Sequence, residues 1–315
     1  MEALEPLKKA GLQKLILDLR GNGGGILDQA VEIADEFLDG DKLITYTEGK
    51  HVDKKEYRCR RNGQFETGKL VVLADEGSAS ASEILIGALQ DWDRATIVGR
   101  RSFGKGLVQE QFDLSDKSAL RLTIARYYTP IGRSIQRPYT NGERAYYDEV
   151  SNRYHDPETT YADSVKNNSG KAYKTKGGKT VYAKGGIAPD YFIAMDTSGF
   201  SKNSAAIYNK STISSFAYNF YLQNQALIKT FKSPADFIKG FSLSDENWKQ
   251  FTDAAAKDSI NISIVSAKEK SSLSNQIRSS IARQIWRNEG YFEVINTTDE
   301  GIKKALEIIT SQKTH

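Results

Sequence analysis

The segment EGSASASEILIGALQDW (Glu76 to Trp92) places serines at 78, 80 and 82, then turns apolar at helical spacing. Downstream, RSFGKGLVQEQ holds a single lysine, Lys105, between Gly104 and Gly106. A serine hydroxyl attacks a carbonyl once a base draws off its proton, and preplaced N–H groups must meet the resulting oxyanion. The serines follow an apolar run, KLVVLAD, through a tight turn of small residues, so they fall at a strand-to-helix junction with free backbone N–H groups. Ala79 and Ala81 leave room for a peptide. Ser80-x-x-Glu83 also reads as a capping box, which by itself asks only for a helix start. The three serines share this setting, and local chemistry does not rank them.

The histidines are His51, His155 and His315, without HxxxH spacing and in loop-like or terminal contexts. That leaves Lys105 as the base. A lysine at an ordinary pKa of about 10.4 costs about 4.6 kcal/mol to deprotonate at pH 7. Desolvation by the flanking SFG and LV residues lowers that cost; an exposed turn would not. A rival reading takes Gly99 to Gly106, GRRSFGKG, as a P-loop-like nucleotide binder. Gly106 stands where that loop needs a hydroxyl, and a strand-like LVQEQFDL follows where it needs a helix. RGNGGG fails as a dinucleotide fingerprint because Ile26 occupies the last glycine position. Four glycines in five residues exceed what turning requires and favour close backbone approach to a ligand or oxyanion.

These residues need a scaffold, and 315 residues suffice for about two domains. Hydrophobic and charged shares of 39% and 27% are those of an ordinary globular chain. No run of about 18 apolar residues is present, so no helical membrane span is expected. One cysteine, Cys59 in YRCRRNG, excludes an internal disulfide and a thiolate metal cluster, and its basic setting would favour a thiolate. The lysine- and tyrosine-bearing stretch Lys166 to Gly186 has the composition of a nucleic-acid surface but reads as a solvated loop or hairpin. No nucleic-acid or metal partner is expected.

Along the chain, KLILDLR (Lys14 to Arg20) reads as a strand buried on both faces, and ILDQAVEIADEFLDG as a helix ended by Gly40. KLITYTEGK, KLVVLAD and RATIVG are further strands, SEILIGALQD a helix, and LVQEQFDL with ALRLTIARYYTP a hairpin. The first 135 residues thus form an α/β layered core. A polar insertion spans 138–184, within a core of 1–198, and 199–315 is a mainly helical C-terminal region with starts at Ser233-Pro234 and Ser244.

Taken together, LILDLRGNGGG, GSASASEILIGALQD, ATIVGRRSFGKGLVQ, LRLTIARYYTPIGRSIQ and GGIAPD resemble, in order, the carboxyl-terminal processing peptidases, the tail-specific serine-lysine proteases. The resemblance covers roughly residues 1–195. It implies a crotonase- or ClpP-like fold, with Ser80 as nucleophile, Lys105 as general base and Gln109 orienting the lysine. The implied oxyanion donors are the N–H of Ala81 and of Gly24 or Gly25, a choice left open. It further implies cleavage of polypeptides near their C-terminal tails, without a metal, nucleotide or other cofactor, in an exported protein of the periplasm or cell envelope. Members carry an export signal, a PDZ domain and additional core strands ahead of LILDLR. Only fourteen residues precede Leu15, so a truncated chain is expected. The alternative on the same fold is an inactive peptide-binding scaffold. The C-terminal helices match the motifs poorly, and packing on the core or a homo-oligomer contact are both open to them.

Overall fold

The computed structural model describes residues 2–139, 142–153, 170–183, 185–195 and 201–311. The chain divides into two compact units, Met1–Met195 with Lys304–His315, and Asp196–Lys303.

The first unit holds two four-stranded sheets. One is parallel throughout, in the order β1 (Lys14–Asp18), β4 (Lys69–Ala74), β5 (Thr96–Gly99), β10 (Tyr191–Phe192). β4 lies inside it, and Leu70 to Ala74 are all buried, each large side chain contributing about 1.5–3 kcal/mol. The other sheet is antiparallel, β3 (Lys55–Arg58), β2 (Leu43–Glu48), β7 (Ala119–Tyr128), β6 (Leu107–Asp113). β6 and β7 form the expected hairpin, closed by Leu114 N–H to the Ser118 carbonyl at 2.8 Å. A short helix α1 (Leu4–Lys9) and α2 (Leu27–Asp35) precede the second sheet, and α3 (Ala81–Asp91) follows β4. Every residue of α3 is buried, polar ones included. Their partners lie on the surrounding elements: Gln90 donates to the Ala188 carbonyl at 2.9 Å, and Asp91 pairs with Arg133 at 2.5 Å.

The order of the parallel sheet positions the chemistry. β1, β4 and β5 are neighbours pointing the same way, so the segments leaving their carboxyl ends emerge side by side. Those segments are the glycine loop 21–25, the serine turn 75–80 and the loop 100–106. The carboxyl edge of a parallel sheet is where such folds bind ligands.

Three expectations need correction. β1 is a half-buried edge strand, paired only with β4 among the described residues, and not buried on both faces. The polar insertion contains a helix that its composition did not announce, α4 (Gly142–Arg153), beside the hairpin that its lysine-rich stretch allowed, formed by β8 (Lys171–Lys174) and β9 (Thr180–Ala183). Residues 140–141, 154–169 and 184 of that stretch, His155 among them, lie outside the described residues, as does His315. α2 ends at Asp35, five residues ahead of Gly40.

The second unit is helical, with α5 (Lys202–Asn209), α6 (Thr212–Gln223), α7 (Gln225–Ile228), α8 (Pro234–Gly240), α9 (Asp245–Lys257) and α10 (Ala267–Ile295). Ser233 and Ser244 cap α8 and α9 as expected, accepting from the Asp236 and Asn247 amides. Phe216, Phe237, Phe251, Leu273 and Ile277 form its core, with Phe237 stacked on Phe241 at 4.6 Å. α10 kinks at Trp286–Arg287, where Arg287 takes φ 55°. A last helix, α11 (Glu300–Thr310), runs into the residues that group with the first unit, where Lys69 donates to the Ser311 carbonyl.

Candidate active site

The structure separates the three serines that the sequence leaves level. The Ser78 hydroxyl is fully buried, donating to the Leu19 carbonyl at 2.7 Å and accepting from the Asp75 amide at 3.0 Å. The Ser82 hydroxyl donates to Asn22 Oδ1 at 3.0 Å. Ser78 therefore fastens the serine turn to the residue after β1, and Ser82 fastens the start of α3 to the glycine loop. Ser80, between them, is half-buried and lines an open cleft. Its backbone sits at φ 57°, ψ −117°, a region that costs a non-glycine residue about 1–3 kcal/mol and persists only where neighbours enforce it. Strain of this kind at a strand-to-helix turn projects a serine Oγ outward.

The enforcing neighbour is Glu83, one turn into α3 and completely buried. The capping-box signature is realised through its carboxylate: Oε2 accepts the Ser80 N–H at 2.9 Å. The same oxygen accepts the Lys105 N–H at 2.8 Å, while Oε1 takes the Gly104 N–H at 2.7 Å and the Ser102 hydroxyl at 2.5 Å. Burial pushes the Glu83 carboxyl above the usual range, against the pull of these donors. One carboxylate thus fixes the serine turn and the lysine loop together.

Gly104 must be glycine: it has φ +91°, and a Cβ there would lie 2.5 Å from Arg137 Cγ and 2.7 Å from the Gly185 carbonyl carbon. Further bonds hold the loop, from Phe103 N–H to the Ser78 carbonyl at 2.9 Å and from Gly106 N–H to Gln136 Oε1 at 2.8 Å. Among the described residues, the half-buried Lys105 amine has no carboxylate partner. β6 starts two residues later, so the strand expected after FGKG is present.

The cleft measures about 400 Å³ and brings together Ser80, Ala81, Lys105, Gln109 and Gly25, with Arg121 and Tyr127. Ile26, Leu27, Ile84, Leu107 and Val108 give it apolar walls. Gln109 is exposed on β6, just past a bulge, and no hydrogen bond joins its side chain to Lys105 among the described residues. Ala81 is the first residue of α3, where an amide has no intrahelical acceptor. Gly24 and Gly25 differ sharply. The Gly24 N–H is engaged by Asn22 Oδ1 at 2.9 Å, and a Cβ on Gly24 would stand 2.4 Å from the Ala79 carbonyl oxygen and 2.6 Å from the Ala81 nitrogen. Gly25 lines the cleft, and its Cβ direction is open.

Residues 1–142 match peptidase family S41. Residues 204–287 match a family of unknown function, DUF8443. The chain is similar to the carboxy-terminal-processing protease of Bartonella bacilliformis, 47% identical over 125 residues, 40% of this chain and 29% of that protein. It is also similar to the carboxyl-terminal-processing protease of Synechocystis sp., 44% identical over 136 residues, 43% of this chain and 31% of that protein. The chain therefore spans less than a third of these relatives' lengths. Among solved structures, a photosystem II D1 C-terminal processing protease is 30% identical, covering 61% of this chain and 38% of that chain, with a TM-score of 0.44.

Several residues that shape this cleft were not legible in the sequence as site residues. Glu83 reads there only as a helix cap. Asn22 falls inside the glycine run and Asp75 at the end of the expected strand KLVVLAD, yet Asp75 Oδ1 accepts from the Gly21 and Gly77 amides at 2.8 and 2.9 Å and ties the two loops. Tyr127 carries no local signal beyond strand alternation. Cys59 is corrected: it is buried, and burial first, then the Asp35 charge, pushes its thiol up to about 12, so no thiolate forms. His51 is exposed. The described part of the lysine-rich stretch is the β8–β9 hairpin, where Lys179 pairs with Asp190 at 2.9 Å.

Proposed function

We propose that this chain carries the catalytic segment of a serine endopeptidase that cleaves polypeptides at or near their C-terminal tails. The observation that carries the reading is the strained Ser80, facing a cleft shared with Lys105, while the two backbones hang from one Glu83 oxygen. In this reading the neutral Lys105 amine takes the Ser80 Oγ proton as Oγ attacks the scissile carbonyl carbon. The tetrahedral oxyanion is met by the N–H groups of Ala81 and Gly25. Gly24 is set aside because Asn22 already occupies its N–H. The Lys105 ammonium then protonates the departing amine, leaving an acyl-enzyme on Ser80. Lys105, neutral again, takes a proton from water as it attacks the ester, and returns that proton to Ser80 Oγ as the acyl C–O bond breaks, freeing the acid product. Gln109, on the cleft wall, orients the lysine. The apolar walls suit an uncharged side chain beside the scissile bond.

The setting that goes with this reading is the periplasm or cell envelope. Among the described residues no helix is long and apolar enough to cross a membrane.

The test is digestion of an unfolded protein by the 315-residue chain and by Ser80→Ala and Lys105→Ala. Both substitutions should abolish cleavage while circular dichroism stays unchanged. Cleavage by Ser80→Ala at the wild-type rate would sink the assignment, and peptide binding without any cleavage by the parent chain would favour the inactive scaffold.

A further inference from the structure

Glu83 Oε2 holds the N–H ends of Ser80 and Lys105; the Ser80 carbonyl accepts the Glu83 and Ile84 amides at 2.9 and 3.2 Å as α3 begins, and the two carbonyls share one further contact. Tyr127, on β7, is 3% exposed, belongs to the apolar core and borders the cleft. That hydroxyl lies 3.0 Å from the Ser80 carbonyl oxygen and also contacts the Lys105 carbonyl oxygen. The Tyr127 amide meanwhile donates to the Gly106 carbonyl at 3.1 Å, so the ring is anchored to the lysine loop through its backbone too. On the serine and on the lysine alike, the N–H thus meets Glu83 Oε2 and the C=O meets Tyr127 Oη.

We infer that Tyr127 is a positioning residue for the proposed Ser80–Lys105 pair, its one hydroxyl setting the spacing of the two backbones from the carbonyl side. The inference rests on the peptidase reading above. Its physical basis lies at Lys105, whose N–H meets Glu83 Oε2 and whose carbonyl meets Tyr127 Oη. Glycines flank it on both sides, so neighbouring torsions do little to stiffen it. Ser80 needs support of the same kind, since its left-handed backbone relaxes unless it is held. Burial, and then the adjacent Glu83, push the phenol well above its ordinary range, so it stays protonated and able to donate near neutral pH. Tyr127 touches neither substrate nor the reacting atoms in this account. It acts through the geometry of the two residues that do, where a misplacement of about 1 Å costs on the order of 100-fold in rate.

The experiment compares the full chain with Tyr127→Phe, Tyr127→4-aminophenylalanine and Ser80→Ala. It measures kcat and KM on a peptide substrate, Ser80 labelling by a fluorophosphonate, and the melting temperature. Tyr127→Phe should lower kcat by about 10- to 100-fold and slow labelling by a similar factor, with KM within about twofold. The 4-aminophenylalanine variant, which restores a donor in place, should recover most of kcat. Wild-type kcat in Tyr127→Phe would overturn the inference, and so would failure of the aminophenylalanine variant to recover turnover. That second variant also decides the matter should Tyr127→Phe fail to fold. Ser80→Ala keeps the two claims apart: full cleavage by it defeats the peptidase reading, while an inactive Ser80→Ala beside a fully active Tyr127→Phe defeats only the role of Tyr127.

Discussion

The Arg153 guanidinium donates to the Ser102 carbonyl at 2.8 Å and to the Phe103 carbonyl at 3.2 Å, gripping the lysine loop from the last turn of α4. The helix that makes this grip lies in a stretch whose composition promised only a polar excursion. Its hold depends on Glu149, which binds Arg153 at 2.9 Å, Arg137 at 2.5 Å and Arg101 at 2.9 Å.

That dependence makes the grip sensitive to acid. Burial alone would raise the Glu149 carboxyl, but the hydrogen bonds and charge of Arg153, the bond from Arg137 and the charge of Arg101 bring it down to about 2. The unfolded value is about 4.3, so the unfolded chain binds the proton first, and stability falls as pH drops from about 4.3 towards 2. Above that window the contribution is fully present. Melting curves from pH 5 to 2 should show a loss that is shallower in Glu149→Gln than in the parent; parallel curves would contradict this.

Glu83→Gln keeps the size of the side chain and replaces one acceptor oxygen with an NH₂ group. Either orientation turns that NH₂ towards buried donors, Ser80 and Lys105 on one side or Ser102 and Gly104 on the other. Buried donors left unmet cost about 1–3 kcal/mol each, so a loss of roughly 2–4 kcal/mol is expected in urea titration. Cleavage should fall by at least about 100-fold. An unchanged urea midpoint would show that the carboxylate is not what joins these segments.

The two candidate oxyanion glycines should respond in opposite ways. Gly24→Ala puts a methyl against the Ala79 carbonyl and the Ala81 nitrogen at φ +86°, with an expected loss of about 1–3 kcal/mol. Gly25→Ala meets nothing within 4 Å and should melt like the parent. Melting temperatures of the two variants side by side check this.

Neighbouring serines offer a similar contrast. Ser78→Ala removes a buried hydroxyl that serves the Leu19 carbonyl and the Asp75 amide, and should cost about 1–2 kcal/mol. Cleavage below its melting point should survive. Ser80→Ala should melt close to the parent and cleave nothing, and the reverse pattern would move the nucleophile to Ser78.

Much of the α/β core is legible in the sequence because its elements declare themselves locally. KLVVLAD is apolar because β4 has neighbours on both sides, and the hairpin alternates because it has two faces. α4 is hidden because only Tyr146 and Arg153 of its twelve residues are buried, leaving no apolar stripe to see. β3, KEYR, hides for the same reason at a sheet edge. KLILDLR misleads in the opposite direction: it has the composition of a central strand yet lies at an edge. Local chemistry leaves the three serines level, and only the resemblance singles out Ser80, because their physical difference depends on Leu19 and Asn22, some sixty positions away. Tyr127 and Glu83 escaped notice because a phenol on a strand and a carboxylate in a helix cap have ordinary local explanations.

The suspension of Ser80 and Lys105 from a single side chain has one further consequence. The proposed machinery would be assembled once, when the domain folds, and carried thereafter as a preset pair. A control that prised the two apart would have to break the interior of the protein to do so. Control compatible with survival of the fold would fall instead on admission, on which polypeptide ends reach the groove and how long they stay.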